Sequence, residues 1–101
     1  IVGNVVSKGE CEKGILICGT GLGMSITANK IPGVRAALCT DCYMARMSRE
    51  HNDANILVLG ERVIGTGLAF EIIDTWLKSE FTGGRHALRV DKINQIERRY
   101  I

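Results

Sequence analysis

The 101-residue sequence has little of what membrane-spanning or nucleic-acid-binding proteins require. It contains a single proline and 5% aromatic residues. No apolar run approaches the roughly 18 residues that a membrane helix needs. Thirteen Lys and Arg against eleven Asp and Glu leave a net charge of +2, without a long basic run. These absences predict a cytoplasmic protein that binds neither a membrane nor nucleic acid.

No export signal is expected, because the opening IVGNVV lacks the basic start of a signal peptide. The cysteines are therefore predicted to be reduced thiols, not disulfides. There are four of them: Cys11, Cys18, Cys39 and Cys42. With 46% hydrophobic and 24% charged residues, the chain 1–101 is predicted to fold as one domain.

Short apolar runs alternate with helical patterns. The runs GILIC, VRAALC and NILVLG have the length of strands buried on both faces, and a helix precedes GILIC. Further helices are predicted at about 22–30, 41–50, 67–81 and 85–100. Asp41 or Thr40 is the expected N-cap of the helix over 41–50. The alternation predicts an α/β fold, a three-layer Rossmann-like parallel sheet with right-handed crossovers.

The last two predicted helices carry apolar stripes at helical spacing. In a dimer, the stripe on the last helix is expected to pack across the interface between the two chains. The stripe of 67–81 comprises Leu68, Ile72, Ile73, Trp76 and Leu77, and that of 85–100 comprises Val90, Ile93, Ile96 and Tyr100.

Cys18 stands where a strand meets a glycine-rich loop, in GILICGTGLGMS. Ligands of parallel sheets bind beyond the carboxyl ends of the strands, and glycines let backbone amides approach a ligand. The helix that follows favours negative charge, so a thiolate at Cys18 can act as a base or a nucleophile. The alternative is an inert, buried cysteine above a tight turn. A dinucleotide site is less well supported, because the glycine spacing is not G-x-G-x-x-G.

Two other motifs place polar residues at helix ends. SREHNDAN has His51 and Asn52 at the end of one helix, and GGRHALR has Arg85 and Arg89 four residues apart on one helix face. Two guanidiniums near a helix N-terminus suit a phosphate group. Alternatively, the arginines are solvated and the histidine complements the helix dipole. The CTDC pair could bind zinc, but the remaining ligands have irregular spacing, so no metal site is predicted.

Three segments of the chain resemble ribose-5-phosphate isomerase type B and occur in the same order as in that protein family, which includes the galactose-6-phosphate isomerase subunits. They are GILICGTGLGMSITANKIPGVRAALC, SREHNDANILVLGERVIG and EFTGGRHALRVDKI. The resemblance implies an aldose-ketose isomerase that interconverts ribose 5-phosphate and ribulose 5-phosphate, or a related sugar phosphate. It implies an enediolate intermediate and neither a cofactor nor a metal.

The resemblance also implies a role for each site residue. Cys18 would move the proton between C1 and C2, Thr20 would assist proton movement between the two oxygens, and His51 would open the sugar ring. The other residues would bind substrate: Gly19, Gly21, Gly23 and Ser25 the oxyanion, Asn52 the sugar hydroxyls, and Arg85 and Arg89 the phosphate, with His86 nearby.

The sequence departs from this family at its start. The family begins with a strand ending in an Asp-His pair, then a helix and a second strand, whereas this chain begins at Ile1 without them. We therefore expect an N-terminally incomplete domain that lacks the first two strands, which leaves GILIC as an apolar sheet edge. Two alternatives remain: a phosphocysteine carrier of the phosphotransferase IIB type, and an inactive dimerisation fragment of the isomerase.

Chain direction predicts active sites shared between subunits. Cys18 ends a strand, whereas His51 and Arg85 each follow a helix that runs back to the opposite edge of the sheet. A helix of about ten residues spans roughly 15 Å. We therefore expect a homodimer, or a tetramer built from it, in which a second chain brings His51 and Arg85 to each Cys18.

Overall fold

A computed structural model describes residues 1–100. Helices alternate with strands and a fifth helix closes the chain, which confirms the predicted α/β class. The elements are α1 (Val2–Ser7), β1 (Gly14–Cys18), α2 (Leu22–Ala28), β2 (Ala36–Leu38), α3 (Cys42–Glu50), β3 (Ile56–Gly60), α4 (Thr66–Lys78) and α5 (Arg85–Arg99). None of the helices within residues 1–100 combines the length and apolar character needed to cross a bilayer.

The three strands form one parallel sheet in the order β1-β3-β2. Gly14 pairs with Ile56 at the amino edge of the sheet, and Cys18 pairs with Gly60 at the carboxyl edge. The central strand β3 is buried throughout, as predicted. The same prediction is wrong for β1 and β2, which are only partly covered because each has a neighbouring strand on one side.

The two edges of the sheet differ. Ile17 of β1 is 59% exposed, so the predicted apolar edge at GILIC is confirmed. The outer edge of β2 is capped by Asn29, whose side-chain amide donates to the carbonyl of Ala36 at 3.0 Å and accepts from its N–H at 2.8 Å. The outward-facing N–H and carbonyl of Ala36 in β2 are thus satisfied within the chain, whereas β1 presents its edge to the surroundings.

Successive residues of β3 point to opposite faces of the sheet and build two cores. Leu57 and Leu59 pack with Cys39, Ala45, Ile72 and Trp76, which belong to the side of α3 and α4. Ile56 and Val58 pack with Val6, Ala28 and Val34, which belong to the side of α1 and α2. This arrangement confirms the three predicted layers.

Helix boundaries agree with the sequence to within a few residues. Asp41 is the N-cap of α3, since its carboxylate accepts from the N–H of Met44 at 2.8 Å. The stripe predicted on α4 is too wide. Ile72 and Trp76 are buried, whereas Leu68 and Leu77 are exposed because they lie at the margins of the face that α4 turns towards the sheet.

Helix α5 buries little of its apolar stripe within the chain. Val90 is buried, but Ile93, Ile96 and Tyr100 are exposed. A hydrogen bond of 3.0 Å, from the N–H of Gly33 to the carboxylate of Glu97, joins α5 to the loop before β2. Between α5 and β2 lies a cleft of about 740 Å³, lined in part by Ile93, Ile96 and Tyr100.

Candidate active site

The loop that follows Cys18 is held against the loop that leaves β3. The carbonyl of Cys18 accepts from the N–H of Glu61 at 2.7 Å, and the carbonyl of Gly19 accepts from the N–H of Arg62 at 2.9 Å. A Cβ added to Gly60 would lie 2.6 Å from the carbonyl carbon of Thr20. Only glycine at position 60 therefore lets the Cys18 loop close onto the sheet.

Gly21 turns this loop into α2. It is the N-cap of α2 and has a φ of 84°, which favours glycine. Thr20 Oγ1 accepts from the N–H of Leu22 at 3.3 Å, so its own hydroxyl proton is free to be donated. The hydroxyl of Ser25 donates to the carbonyl of Leu22 at 2.9 Å. The first turn of a helix leaves backbone N–H groups without intrahelical partners, and α2 begins four residues after Cys18.

The structure thus brings one group of predicted site residues together at the carboxyl edge of the sheet. We call this group the thiol site; it comprises Cys18, Gly19, Thr20, Gly21, Gly23 and Ser25. Cys18 is a free thiol of intermediate burial. The other cysteines are also free, as predicted, and burial raises the pKa of Cys39 to about 11. Cys39 is therefore protonated at neutral pH and structural in character.

The second group of predicted residues lies at the amino edge. His51 is the C-cap of α3, and the exposed Asn52 follows it in the loop before β3. The N–H and hydroxyl of Thr82 both donate to the carbonyl of Glu50, at 3.1 and 2.9 Å, and so join the segment before α5 to the end of α3.

The start of α5 therefore lies next to His51. The imidazole rings of His51 and His86 stack face to face, with centroids 4.0 Å apart and planes 8° from parallel. Arg85 and Arg89 flank His86 on the same helix and are exposed. Desolvation chiefly, and then the neighbouring charges of His51, Arg85 and Arg89, lower the pKa of His86. We call His51, Asn52, Arg85, His86 and Arg89 the imidazole site.

A partly buried ion-pair network fixes the loop that carries His51. Asp53 has a positive φ of 49°, and its carboxylate lies 3.4 Å from Arg35 Nη2 and 3.2 Å from Arg49 Nη1. Arg49 Nη1 also donates to the carbonyl of Ala54 at 2.6 Å. Sequence reasoning did not identify this network; the spacing of four residues between Arg49 and Asp53 was the available signal.

One chain does not bring the two sites together. The thiol site begins where Cys18 pairs with Gly60, and the imidazole site lies before Ile56, the first residue of β3. Four steps along a strand cover about 13 Å, at roughly 3.3 Å per residue. The sequence-based expectation that Cys18 and His51 lie at opposite sheet edges agrees with this arrangement.

A family model described as Ribose/Galactose Isomerase matches residues 1–93. The chain belongs to this family. Ribose-5-phosphate isomerase B of Escherichia coli is 53% identical over 94 residues, covering 93% of this chain and 63% of the relative. The D-erythrulose-4-phosphate isomerase of Pectobacterium atrosepticum is 50% identical over 94 residues, covering 93% of this chain and 62% of the relative.

A solved structure of a ribose-5-phosphate isomerase B has the same fold as this isomerase-family chain. Ribose-5-Phosphate Isomerase B of Clostridium thermocellum superposes with a TM-score of 0.97 at 69% identity, covering 99% of this chain and 68% of that one. The resemblance found in the sequence is thereby confirmed, and the phosphocysteine-carrier alternative is set aside. The chain spans 62 to 63% of the length of the two curated relatives above.

Arg62 is a further candidate site residue of this isomerase-family chain, and it was not among the residues predicted from the sequence. Its Cδ, Nε and Cζ atoms lie 3.7 to 3.8 Å from the position that a Cβ on Gly19 would occupy. Its guanidinium therefore lies over the loop of the thiol site, where an anion would be attracted. The sequence signal that could have identified Arg62 is its position just after β3, at the same sheet edge as Cys18. Among residues 1–100, no three or more His, Cys, Asp or Glu cluster so as to hold a metal ion.

Proposed function

We propose that this chain is the catalytic domain of an aldose-ketose isomerase that interconverts ribose 5-phosphate and ribulose 5-phosphate, or a related sugar phosphate. Its place in the Ribose/Galactose Isomerase family supports this function. The observation that carries it is the thiol site, where Cys18 ends a strand beside a glycine loop, the free amides of a helix start and the Arg62 guanidinium.

The thiol site has the groups that an enediolate mechanism requires. The Cys18 thiolate takes the proton from C2 of the open-chain aldose. The electrons of the C–H bond form the C1–C2 double bond, and the carbonyl oxygen becomes an oxyanion. Backbone amides of the loop, with Arg62, stabilise this charge. Cys18 returns the proton to C1 while Thr20 passes a proton from the oxygen on C2 to the oxygen on C1, which yields the ketose.

The imidazole site supplies the remaining functions. His51 opens the furanose ring, Asn52 binds sugar hydroxyls, and Arg85 and Arg89 bind the phosphate. Both arginines are exposed and lie four residues apart on α5, so their guanidiniums can contact one phosphate together.

We further propose that each active site combines the thiol site of one chain with the imidazole site of a second copy. Strand β3 separates the two sites of one chain by about 13 Å, too far for His51 to reach a sugar that Cys18 deprotonates. In a two-fold homodimer, the imidazole site of each chain can face the thiol site of the other. The exposed side chains of Ile93, Ile96 and Tyr100 offer an apolar surface for that contact.

The primary test measures formation of ribulose 5-phosphate from ribose 5-phosphate by NMR. Cys18→Ala should lower turnover by a factor on the order of 10² to 10⁴, the usual contribution of a catalytic base. Cys11→Ala, at an exposed and distant cysteine, is the matched control and should retain activity. Near-normal turnover by Cys18→Ala would refute the assignment of the base. A folded wild-type protein without turnover would favour the dimerisation fragment.

Subunit mixing tests the shared site. Cys18→Ala and His51→Ala chains are unfolded together and refolded, so that hybrid dimers carry one site with both groups intact. We expect activity to return in the mixture and not in either variant refolded alone. If native mass spectrometry shows hybrids but turnover stays absent, the two sites do not act across subunits.

A further inference from the structure

The face-to-face contact between His51 and His86 has no role in the functions assigned above. Their ring centroids lie 4.0 Å apart, although 35 positions separate the two residues in the chain. Nδ1 of His86 is buried and has no hydrogen-bond partner in the described residues. The stack is therefore the contact that can orient the two rings relative to each other.

A free imidazole is poorly oriented, because the torsion that turns its ring has a broad energy profile. A base that opens a sugar ring needs one ring nitrogen within hydrogen-bond distance of the anomeric hydroxyl. A flat ring pressed against the face of His51 restricts that torsion without occupying either of its nitrogens. His86 can thus restrict the His51 ring and leave both nitrogens available to the substrate.

We propose that His86 is a positioning residue for His51, and that the stack holds the His51 imidazole in the orientation that opens the sugar ring. This inference rests on the proposed isomerase function. In the step concerned, His51 takes the proton of the anomeric hydroxyl. The C1–O4 bond breaks as the C1–O1 double bond forms, and the proton passes to O4.

The surroundings of His86 favour its neutral form. Arg85 and Arg89 face it from its own helix, and His51 faces it from the end of α3. Desolvation chiefly, with these three neighbours, lowers the pKa of His86, so its ring is neutral at pH 7. A protonated His86 beside Arg85 and Arg89 would be repelled by their charges, so acidification should weaken the stack.

Substrates differ in whether they need a ring-opening step. An aldopentose 5-phosphate forms a furanose ring through O4 and must be opened. A ketopentose 5-phosphate and a tetrose 4-phosphate cannot form such a ring, because the required oxygen carries the phosphate. Loss of the stack should therefore slow the reaction of ribose 5-phosphate and spare proton transfer on substrates that are already open.

The experiment compares His86→Ala with His86→Phe, which keeps a flat ring and lacks nitrogens. Turnover of ribose 5-phosphate reports ring opening plus proton transfer. Exchange of the C1 proton of ribulose 5-phosphate with deuterated water, followed by NMR, reports proton transfer without ring opening. We expect His86→Ala to lower turnover about 10-fold, less than the roughly 10²- to 10⁴-fold loss on removing an acid-base group, because His51 itself remains. Its exchange rate should stay within about twofold of wild type, and His86→Phe should retain most of both activities.

The outcomes separate the proposals. Equal losses in the two assays for His86→Ala would show a role in substrate binding and overturn the inference. Equal loss of turnover in the Phe and Ala variants would also overturn the inference, because a flat ring stacked on His51 would then not be sufficient for ring opening. A wild-type protein inactive in both assays overturns the isomerase function itself. Because the chain has two histidines, the imidazole NMR signals also show whether each variant retains the wild-type environment of His51.

Discussion

Replacing Asp53 by alanine would remove the carboxylate that lies between Arg35 and Arg49 in the loop before β3. Arg49 is 8% exposed, so it would keep a buried charge with the carbonyl of Ala54 as its remaining partner. Asp53 also has a positive φ of 49°, which Asp and Asn tolerate better than Ala. Both effects act against the folded state.

The expected magnitude follows from these two terms. A hydrogen bond to a charged group contributes about 1.5–3 kcal/mol when buried, and the side chain of Asp53 is 36% exposed, which favours the lower half of that range. The backbone term adds about 1 kcal/mol. We therefore expect Asp53→Ala to lower the free energy of unfolding by about 2.5–3.3 kcal/mol. Asp53→Asn keeps the backbone preference and should lose about 1–2 kcal/mol.

Asp74→Ala is the matched control. Asp74 also pairs with a basic residue four positions away, at 2.9 Å from Lys78 Nζ, but both side chains are largely exposed. Exposed pairs of this kind contribute about 0.3–0.5 kcal/mol. Urea unfolding followed by circular dichroism measures the stability of all three variants. The slope m shows whether each variant exposes the same amount of surface on unfolding as the wild type. Similar losses for Asp53→Ala and Asp74→Ala would show that partial burial does not strengthen the Asp53 network, which would refute this reasoning.

Three further predictions concern the two sites. Gly60→Ala should push the loop after β1 off the sheet, which should lower the free energy of unfolding by about 1–3 kcal/mol and also lower turnover. Gly65→Ala is the control, because a Cβ added there meets nothing within 4 Å. Equal effects of the two substitutions would contradict the steric argument. Arg85→Ala and Arg89→Ala should raise KM for sugar phosphates and weaken inhibition by inorganic phosphate, with partial rescue by Lys; unchanged kinetics would indicate solvated arginines. Because folding lowers the pKa of His86 from 6.5, the unfolded chain binds more protons, so stability should fall as the pH drops below about 6.5. Urea unfolding at several pH values should show a smaller loss of stability on acidification for His86→Phe than for the wild type. The same pH dependence in both proteins would contradict the role assigned to His86.

Local patterns in the sequence were sufficient for the secondary structure and for the direction of the chain. The run NILVLG became the buried strand β3, and Asp41 became the N-cap of α3, because these features depend on residues a few positions apart. Chain direction alone also placed Cys18 and His51 at opposite edges of the sheet. That inference needed only the rule that a helix after a parallel strand runs back.

Contacts between distant residues were decided by the tertiary structure. Strand order put β3 between β1 and β2, which left Ile17 exposed although its local pattern matches a buried strand. The same order brought Arg62 over Gly19, and the hydrogen bonds from Thr82 to Glu50 brought the start of α5 beside the end of α3, where His86 stacks on His51. Hydrophobic periodicity determines which face of an element is buried, but not which element covers that face, so these contacts could not be read from local sequence.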